Sequence, residues 1–255
     1  MGSGLVHMSS QKWRARWLSA ASVFLFQQGV RAQGTAPPHY RQEPPFDLQA
    51  ALGTSGEWKA VVTAVLAPRR EFDSDEGPSQ SRICFVRTVP AASECAYFSD
   101  LFHSNLTFQA FSSLTAVPLQ SGSAATKGFE LKAAAWYPTG QVQETAVWVY
   151  DAQRDDFHLV LAVESSEVRI FSSGVLNGML VTSDWQRDQG DTRWSDHRRH
   201  VTVYRYGAEE GEAGYRTVFD YATAKKYGAE DTDTIESELS DIEARLPSLL
   251  RQITR

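Results

Sequence analysis

The sequence predicts a mainly β protein, in which antiparallel strands form meanders and a C-terminal amphipathic helix packs on the sheet. Between residues 57 and 228, apolar segments rich in β-branched and aromatic residues alternate with short polar turns, a pattern typical of antiparallel hairpins. From residue 229 onward, the apolar residues recur at steps of three and four, the period of one helix face. A propeller-like sheet and a sandwich both fit this pattern.

The strand assignments begin at Trp58, where a β-branched segment runs to Leu66 and ends before Pro68. Residues 106–119 mix periods, so strand and loop are both expected there. The clearest strands follow in succession: Phe129 to Tyr137, Glu144 to Tyr150, Phe157 to Val163, Glu167 to Phe171, Gly174 to Ser183, His200 to Tyr206 and Tyr215 to Tyr221.

The C-terminal segment, residues 229–255, is predicted to be one helix docked on the sheet. Its apolar stripe consists of Ile235, Leu239, Ile242, Leu246, Leu249 and Ile253. Asp233 and Glu236 have capping-box spacing at its start, and Pro247 predicts a kink because it removes a helix hydrogen bond. A coiled-coil partner helix is the alternative interpretation.

The N-terminus predicts export. Lys12, Arg14 and Arg16 precede the ten-residue apolar segment WLSAASVFLF, and small residues at Val30 and Ala32 suit a signal peptidase. This order is typical of a cleaved secretory signal over residues 1–32, and ten apolar residues are too few to span a bilayer. A buried amphipathic helix is the alternative. Residues 33–56, rich in proline, are expected to form an extended arm.

Charge and cysteine content narrow the class of protein. Without the leader, 21 basic and 31 acidic residues give a net charge of −10, which disfavours binding to nucleic acid. Cys84 and Cys95 predict a disulfide in an oxidising, secreted or periplasmic compartment. Two free buried thiols are the alternative, and a metal site lacks the required ligand spacing.

The candidate ligand-binding residues lie in a polar, aromatic loop at 184–200. Trp185 and Trp194 are expected to stack on a ligand, while Asp188, Asp191 and Arg193 fix its orientation. The alternatives are that a tryptophan closes the core and that the acids only solvate the loop. Calcium does not fit the acid spacing, and His197 and His200 do not fit zinc on a strand. No metal or organic cofactor is therefore predicted.

The segments AVWVYDAQRDDFHLVLAV and GVLNGMLVTSDWQRD resemble blades of exported bacterial β-propeller proteins built from FG-GAP-type hairpins. The Phe-Gly…Gly-Ala-Pro motif and the calcium loop of that family are missing here, so the resemblance implies architecture and no functional residues.

Two functional hypotheses follow from the sequence. The first is an extracytoplasmic binding or interaction module for a carbohydrate, an envelope component or a protein. The second is a secreted hydrolase whose acids and histidines meet only in the fold. No catalytic motif names a reaction: Gly53-Thr54-Ser55-Gly56 is not a nucleophile elbow, and Asp155-Asp156 is expected to be a turn.

Overall fold

The computed structural model describes residues 40–65, 80–103, 109–121, 124–137, 140–192, 194–209, 212–228, 231 and 233–253 of the chain. The predicted leader at 1–32, residues 33–39 of the arm, and Arg193 lie outside this described part. Strands dominate the described residues, and the mainly β prediction is confirmed.

Sheet A is formed by the first strands of the described chain. Its elements are β1 (Tyr40–Gln42), β2 (Phe46–Asp47), α1 (Leu48–Leu52), β3 (Trp58–Val65), β4 (Arg82–Arg87), β5 (Ala92–Tyr97) and α2 (Phe98–Leu101). Strands β1 and β2 both pair antiparallel with β3, and β4 and β5 continue the sheet.

From Tyr40 onward, the proline-rich segment contributes two strands to sheet A. Its residues 40–42 and 46–47 pair with β3, and Leu48 is fully buried. Pro44 and Pro45 fall between the two strands, where their missing N–H groups cost no ladder hydrogen bond. Residues Leu48–Leu52 form the short helix α1, and the Asp47 carboxylate caps it by accepting from the Ala50 N–H at 3.0 Å.

Sheets B and C are meanders in which each strand pairs antiparallel with the next. This confirms the predicted connectivity. Sheet B contains β6 (Gln109–Ser121), β7 (Ala124–Tyr137), β8 (Gly140–Asp151) and β9 (Asp156–Ser165). Sheet C contains β10 (Glu167–Ile170), β11 (Met179–Gln186), β12 (Arg198–Glu209) and β13 (Glu212–Ala222). The ambiguous segment at 106–119 is, from Gln109 onward, one long strand with a register shift between Phe111 and Ser113.

Strand alternation divides the side chains of sheet B between two cores. On β8, Ala146 and Trp148 pack with sheet A, whereas Val147 packs with sheet C. The opposite face of sheet C, including Val181 and Val203, packs against the C-terminal helices. The described chain is therefore layered as sheet A, sheet B, sheet C and helices. Successive antiparallel sheets thus share face-to-face cores.

The C-terminal segment forms two helices, α3 (Thr234–Ser237) and α4 (Leu239–Ile253). Ile235 and Ile242 are fully buried in the third core, and Leu239 is half-buried there. The helical path is interrupted at Glu238, while α4 continues through Pro247. The kink at Pro247 stays a prediction. No helix within the described residues is long and apolar enough to cross a membrane.

The two cysteines lie opposite each other on β4 and β5. Their sulfur atoms are 2.07 Å apart, and their Cα atoms are 4.0 Å apart. The structure thus places Cys84 and Cys95 at disulfide distance, as their spacing predicts.

Candidate functional site: the tryptophan loop

The candidate loop is shorter than the sequence indicates. Strand β11 continues to Gln186 and β12 begins at Arg198, so the connection covers residues 187–197, called the tryptophan loop below. Trp185 belongs to β11, where it pairs with Arg199 of β12. Trp194 lies within the loop.

The Trp185 side chain is partly exposed, and one face of its indole ring is covered. The Arg199 guanidinium carbon lies 3.2 Å from the indole centroid, which is a cation–π arrangement. The His197 ring meets the indole edge-on, with the two centroids 5.5 Å apart. The residue remains 39% exposed, so it neither closes the core completely nor offers both faces of its ring to a ligand.

Trp194 is the most exposed of the large apolar residues in the described chain, at 85%. It occupies a turn closed by its neighbours on both sides. The Thr192 N–H donates to the Ser195 hydroxyl at 2.9 Å, and the Ser195 N–H donates to the Thr192 carbonyl at 3.2 Å. The local backbone therefore holds an indole out in water.

Asp191 fastens the tryptophan loop to the segment after β13. One carboxylate oxygen accepts from the Lys226 ammonium at 2.6 Å, and the other accepts from the Asp188 N–H at 2.9 Å and lies 3.2 Å from His197 Nδ1. Hydrogen bonds from Lys226 and the Asp188 N–H lower the pKa of Asp191 to about 2. The side chain is 7% exposed, so its oxygens already have partners.

Two further contacts hold the base of the loop. The Asp188 carboxylate lies 2.8 Å from Arg198 Nε. The backbones of His197 and Tyr227 exchange hydrogen bonds of 2.9 and 2.7 Å. Asp188 and Asp191 thus both have structural partners, and their predicted contacts with a ligand stay predictions, as does the role of Arg193.

The histidine–acid pairs are dispersed. His197 pairs with Asp191 in the tryptophan loop, while His158 lies 3.4 Å from Asp151 at the β8–β9 hairpin. A third pair, His200 and Asp220, joins β12 to β13 at 3.2 Å. The described residues contain no group of three or more His, Cys, Asp and Glu side chains arranged to hold a metal ion.

A separate depression of about 360 Å³ lies on sheet B. Its polar lining consists of Ser112, Lys132, Gln141, Gln143 and Ser166. Ser112 is the extra residue at the register shift of β6, and bulges of this kind redirect a side chain out of the ladder. The depression belongs to sheet B and the β9–β10 corner, not to the tryptophan loop.

Sequence reasoning missed a polar cluster centred on Asp155, a residue expected only to form a turn. One carboxylate oxygen accepts from the Tyr150 hydroxyl at 2.7 Å, the Ser55 hydroxyl at 2.8 Å and the Trp58 indole N–H at 3.0 Å. The other accepts from the Arg87 guanidinium. These donors hold the pKa of Asp155 well below its usual range, the Tyr150 hydrogen bond having the largest effect.

The Asp155 cluster connects the β8–β9 turn of sheet B to sheet A. A carboxylate that is saturated with donors and has a low pKa is a poor general base, so we regard the cluster as structural. The partners are separated by up to 100 positions in the chain. A local sequence pattern therefore carries no signal for it.

Comparison with known proteins adds no identity to this geometry. No protein-family model matches the chain, and neither a curated protein nor a solved structure matches it.

Proposed function

We propose that the protein is an extracytoplasmic binding module, secreted or periplasmic, that recognises its ligand through the tryptophan loop. The observation that carries the proposal is Trp194, which is 85% exposed on a turn whose supporting loop is tied down by buried or ion-paired groups. Support for the compartment comes from the leader-like N-terminus and from the cysteine pair at disulfide distance.

An exposed indole offers a ligand a large, flat apolar surface. Burying a tryptophan removes about 150–250 Å² of surface from water, and such residues are enriched among those that dominate binding energy. A loop that is already held in place loses little conformational entropy on binding. The Asp191 and Asp188 contacts supply that rigidity in this loop.

Carbohydrate is the ligand class that we favour. The flat face of a sugar ring stacks on an exposed indole, and a neutral glycan carries no charge for this acidic chain to repel. Trp185 offers a ligand less stacking surface than Trp194, because Arg199 covers one face of its indole ring. The contact is therefore expected to centre on Trp194.

The test is a comparison of wild type with Trp194→Ala on a glycan array, followed by titration of the glycans retained. Loss of a central stacked tryptophan is expected to weaken binding by about 10- to 100-fold. Val89→Ala is the matched control, because Val89 is an exposed apolar residue, 81% accessible, outside the loop. Equal binding by wild type and Trp194→Ala would refute the assignment of the site.

The hydrolase hypothesis has weaker support. Its residues would need to converge, yet the three histidine–acid pairs belong to different elements of the described fold. We therefore do not propose a reaction.

A further inference from the structure

A glutamate and a glutamine form a buried polar pair on the face of sheet B that packs against sheet A. Gln109, the first residue of β6, and Glu144 of β8 are both fully buried. The Gln109 amide nitrogen donates to Glu144 Oε1 at 2.6 Å. The other oxygen of each side chain, Gln109 Oε1 and Glu144 Oε2, has no hydrogen-bond partner among the described residues.

An ionised carboxylate leaves both of these oxygens unsatisfied, because both are acceptors. A buried acceptor without a donor is unfavourable, and a buried charge without a counter-charge is more so. Rotating the amide of Gln109 does not help, since its oxygen would then face a carboxylate oxygen.

A single proton on Glu144 Oε2 resolves both deficits. The resulting hydroxyl is a donor, and Gln109 Oε1 is the unsatisfied acceptor on the same partner residue. The amide already donates to Oε1 of the same carboxyl group. Together the two hydrogen bonds would close a ring between a neutral carboxylic acid and a primary amide.

The residues around Glu144 also favour its protonated form. It lies opposite Ala133 on β7 and opposite Glu164 on β9, so its neighbours in the ladder supply one apolar and one acidic side chain. Burial raises the pKa of Glu144 to about 8, the hydrogen bond from Gln109 opposes this, and the charge of Glu164 adds to it.

The pair is continuous with contacts that join the two sheets. The Ser81 hydroxyl, just before β4, donates to the Gln109 carbonyl at 2.7 Å and accepts from the N–H of Val65 at the end of β3 at 3.2 Å. Residues of sheet A therefore hold the backbone of the residue whose side chain contacts Glu144.

We propose that Glu144 is a neutral carboxylic acid at physiological pH and that its ring with Gln109 is a pH-sensitive latch between strands β6 and β8 of sheet B, on the face that packs against sheet A. Loss of the proton in alkaline conditions leaves a buried anion near Glu164 and weakens this end of the interface. The latch lies outside the tryptophan loop, so the test of the latch does not depend on the proposed function.

The test compares urea unfolding of wild type and Glu144→Gln from about pH 5 to about pH 9. A carboxyl group whose pKa is raised in the folded state, such as Glu144, makes its full contribution to stability below its unfolded pKa. That contribution is lost as the pH rises towards the folded pKa. The unfolding constant of wild type relative to the variant is therefore expected to rise about tenfold per pH unit, levelling off near pH 8. Glutamine keeps the ring without a titrating proton, so the variant lacks this dependence.

Two comparisons make the result specific. Glu57→Gln, at an exposed glutamate, should follow wild type at every pH. Glu164→Gln removes the acidic neighbour, so the pH dependence should persist but level off at lower pH.

Infrared difference spectra of wild type against Glu144→Gln provide a direct readout that needs no unfolding. They should show the carbonyl stretch of a protonated carboxylic acid at neutral pH in wild type only. A carboxylate signal at neutral pH, or parallel unfolding curves for wild type and Glu144→Gln across the range, would overturn the latch.

Discussion

Replacing Asp155 is expected to release the β8–β9 turn from sheet A. The Asp155 carboxylate accepts from the Tyr150 and Ser55 hydroxyls, the Trp58 indole and the Arg87 guanidinium. Asp155→Ala removes the acceptor of all four of these hydrogen bonds at once. The indole N–H of Trp58, a 5% exposed residue, then lacks its acceptor, as does Nη1 of the 12% exposed Arg87 side chain.

The magnitude follows from these contacts. Neutral hydrogen bonds contribute about 0.5–1.5 kcal/mol each and a charge-assisted one about 1.5–3 kcal/mol. Asp155 itself is 31% exposed, so water replaces part of what is lost. We expect Asp155→Ala to lower the free energy of unfolding by about 3–4 kcal/mol. Asp155→Asn keeps one acceptor oxygen but sets an amide against Arg87, and about 2 kcal/mol is expected.

The backbone at Asp155 requires its own control. Its φ is +53°, in the left-handed region that asparagine and aspartate tolerate better than alanine. Asp155→Gly relieves this strain while removing the side chain, so its difference from Asp155→Ala isolates the backbone contribution. Urea denaturation monitored by tryptophan fluorescence, with Trp58 in the cluster, measures all three variants.

The lowered pKa of Asp155 also determines the direction in which the stability of the fold changes with pH. A carboxylate with a lowered pKa stabilises the fold above its unfolded pKa, near 3.9, and loses that effect as pH falls. The difference between wild type and Asp155→Asn should therefore be constant near neutral pH and shrink below about pH 4. A loss under about 1 kcal/mol for Asp155→Ala, or a pH-independent difference, would refute the structural role of the cluster.

Two further predictions concern the helix layer and the tryptophan loop. Ile242→Ala, at a fully buried position, should cost about 2–4 kcal/mol, and Leu239→Ala, at a half-buried one, should cost less; equal and small losses in thermal unfolding would contradict the packing described. Asp191→Asn should reduce the hydrogen-exchange protection of residues 187–197 at neutral pH, because the anion that holds Lys226 is removed. Since the pKa of Asp191 is lowered to about 2, that difference should fade only as pH falls below about 4, and unchanged exchange would show that other contacts hold the loop.

Local patterns in the sequence were sufficient for most elements. The strand predicted from Trp58 to Leu66 is observed from Trp58 to Val65, since β-branched residues and a following proline act within one segment. The apolar stripe of the C-terminal segment likewise places Ile235 and Ile242 in a core. The close spacing of Cys84 and Cys95 similarly indicated their pairing.

The candidate site was predicted less completely. Two tryptophans and several charges in one segment were visible from the sequence, but their environments were not. Lys226, which contacts Asp191, comes from the segment after β13, and Arg199, which contacts Trp185, comes from β12. The site is therefore a loop held by internal ion pairs, with Trp194 exposed.

The sequence by itself determined most of the strands, the meander connectivity and the cysteine pairing, because these depend on periodicity and on residues near each other in the chain. Only the tertiary structure decided that sheet B shares one core with sheet A and another with sheet C. Alternation shows that a strand has two faces but not what covers each of them. For the same reason the partners of Asp155 and Glu144 emerged only in the fold, where hydrogen bonds join residues up to 100 positions apart.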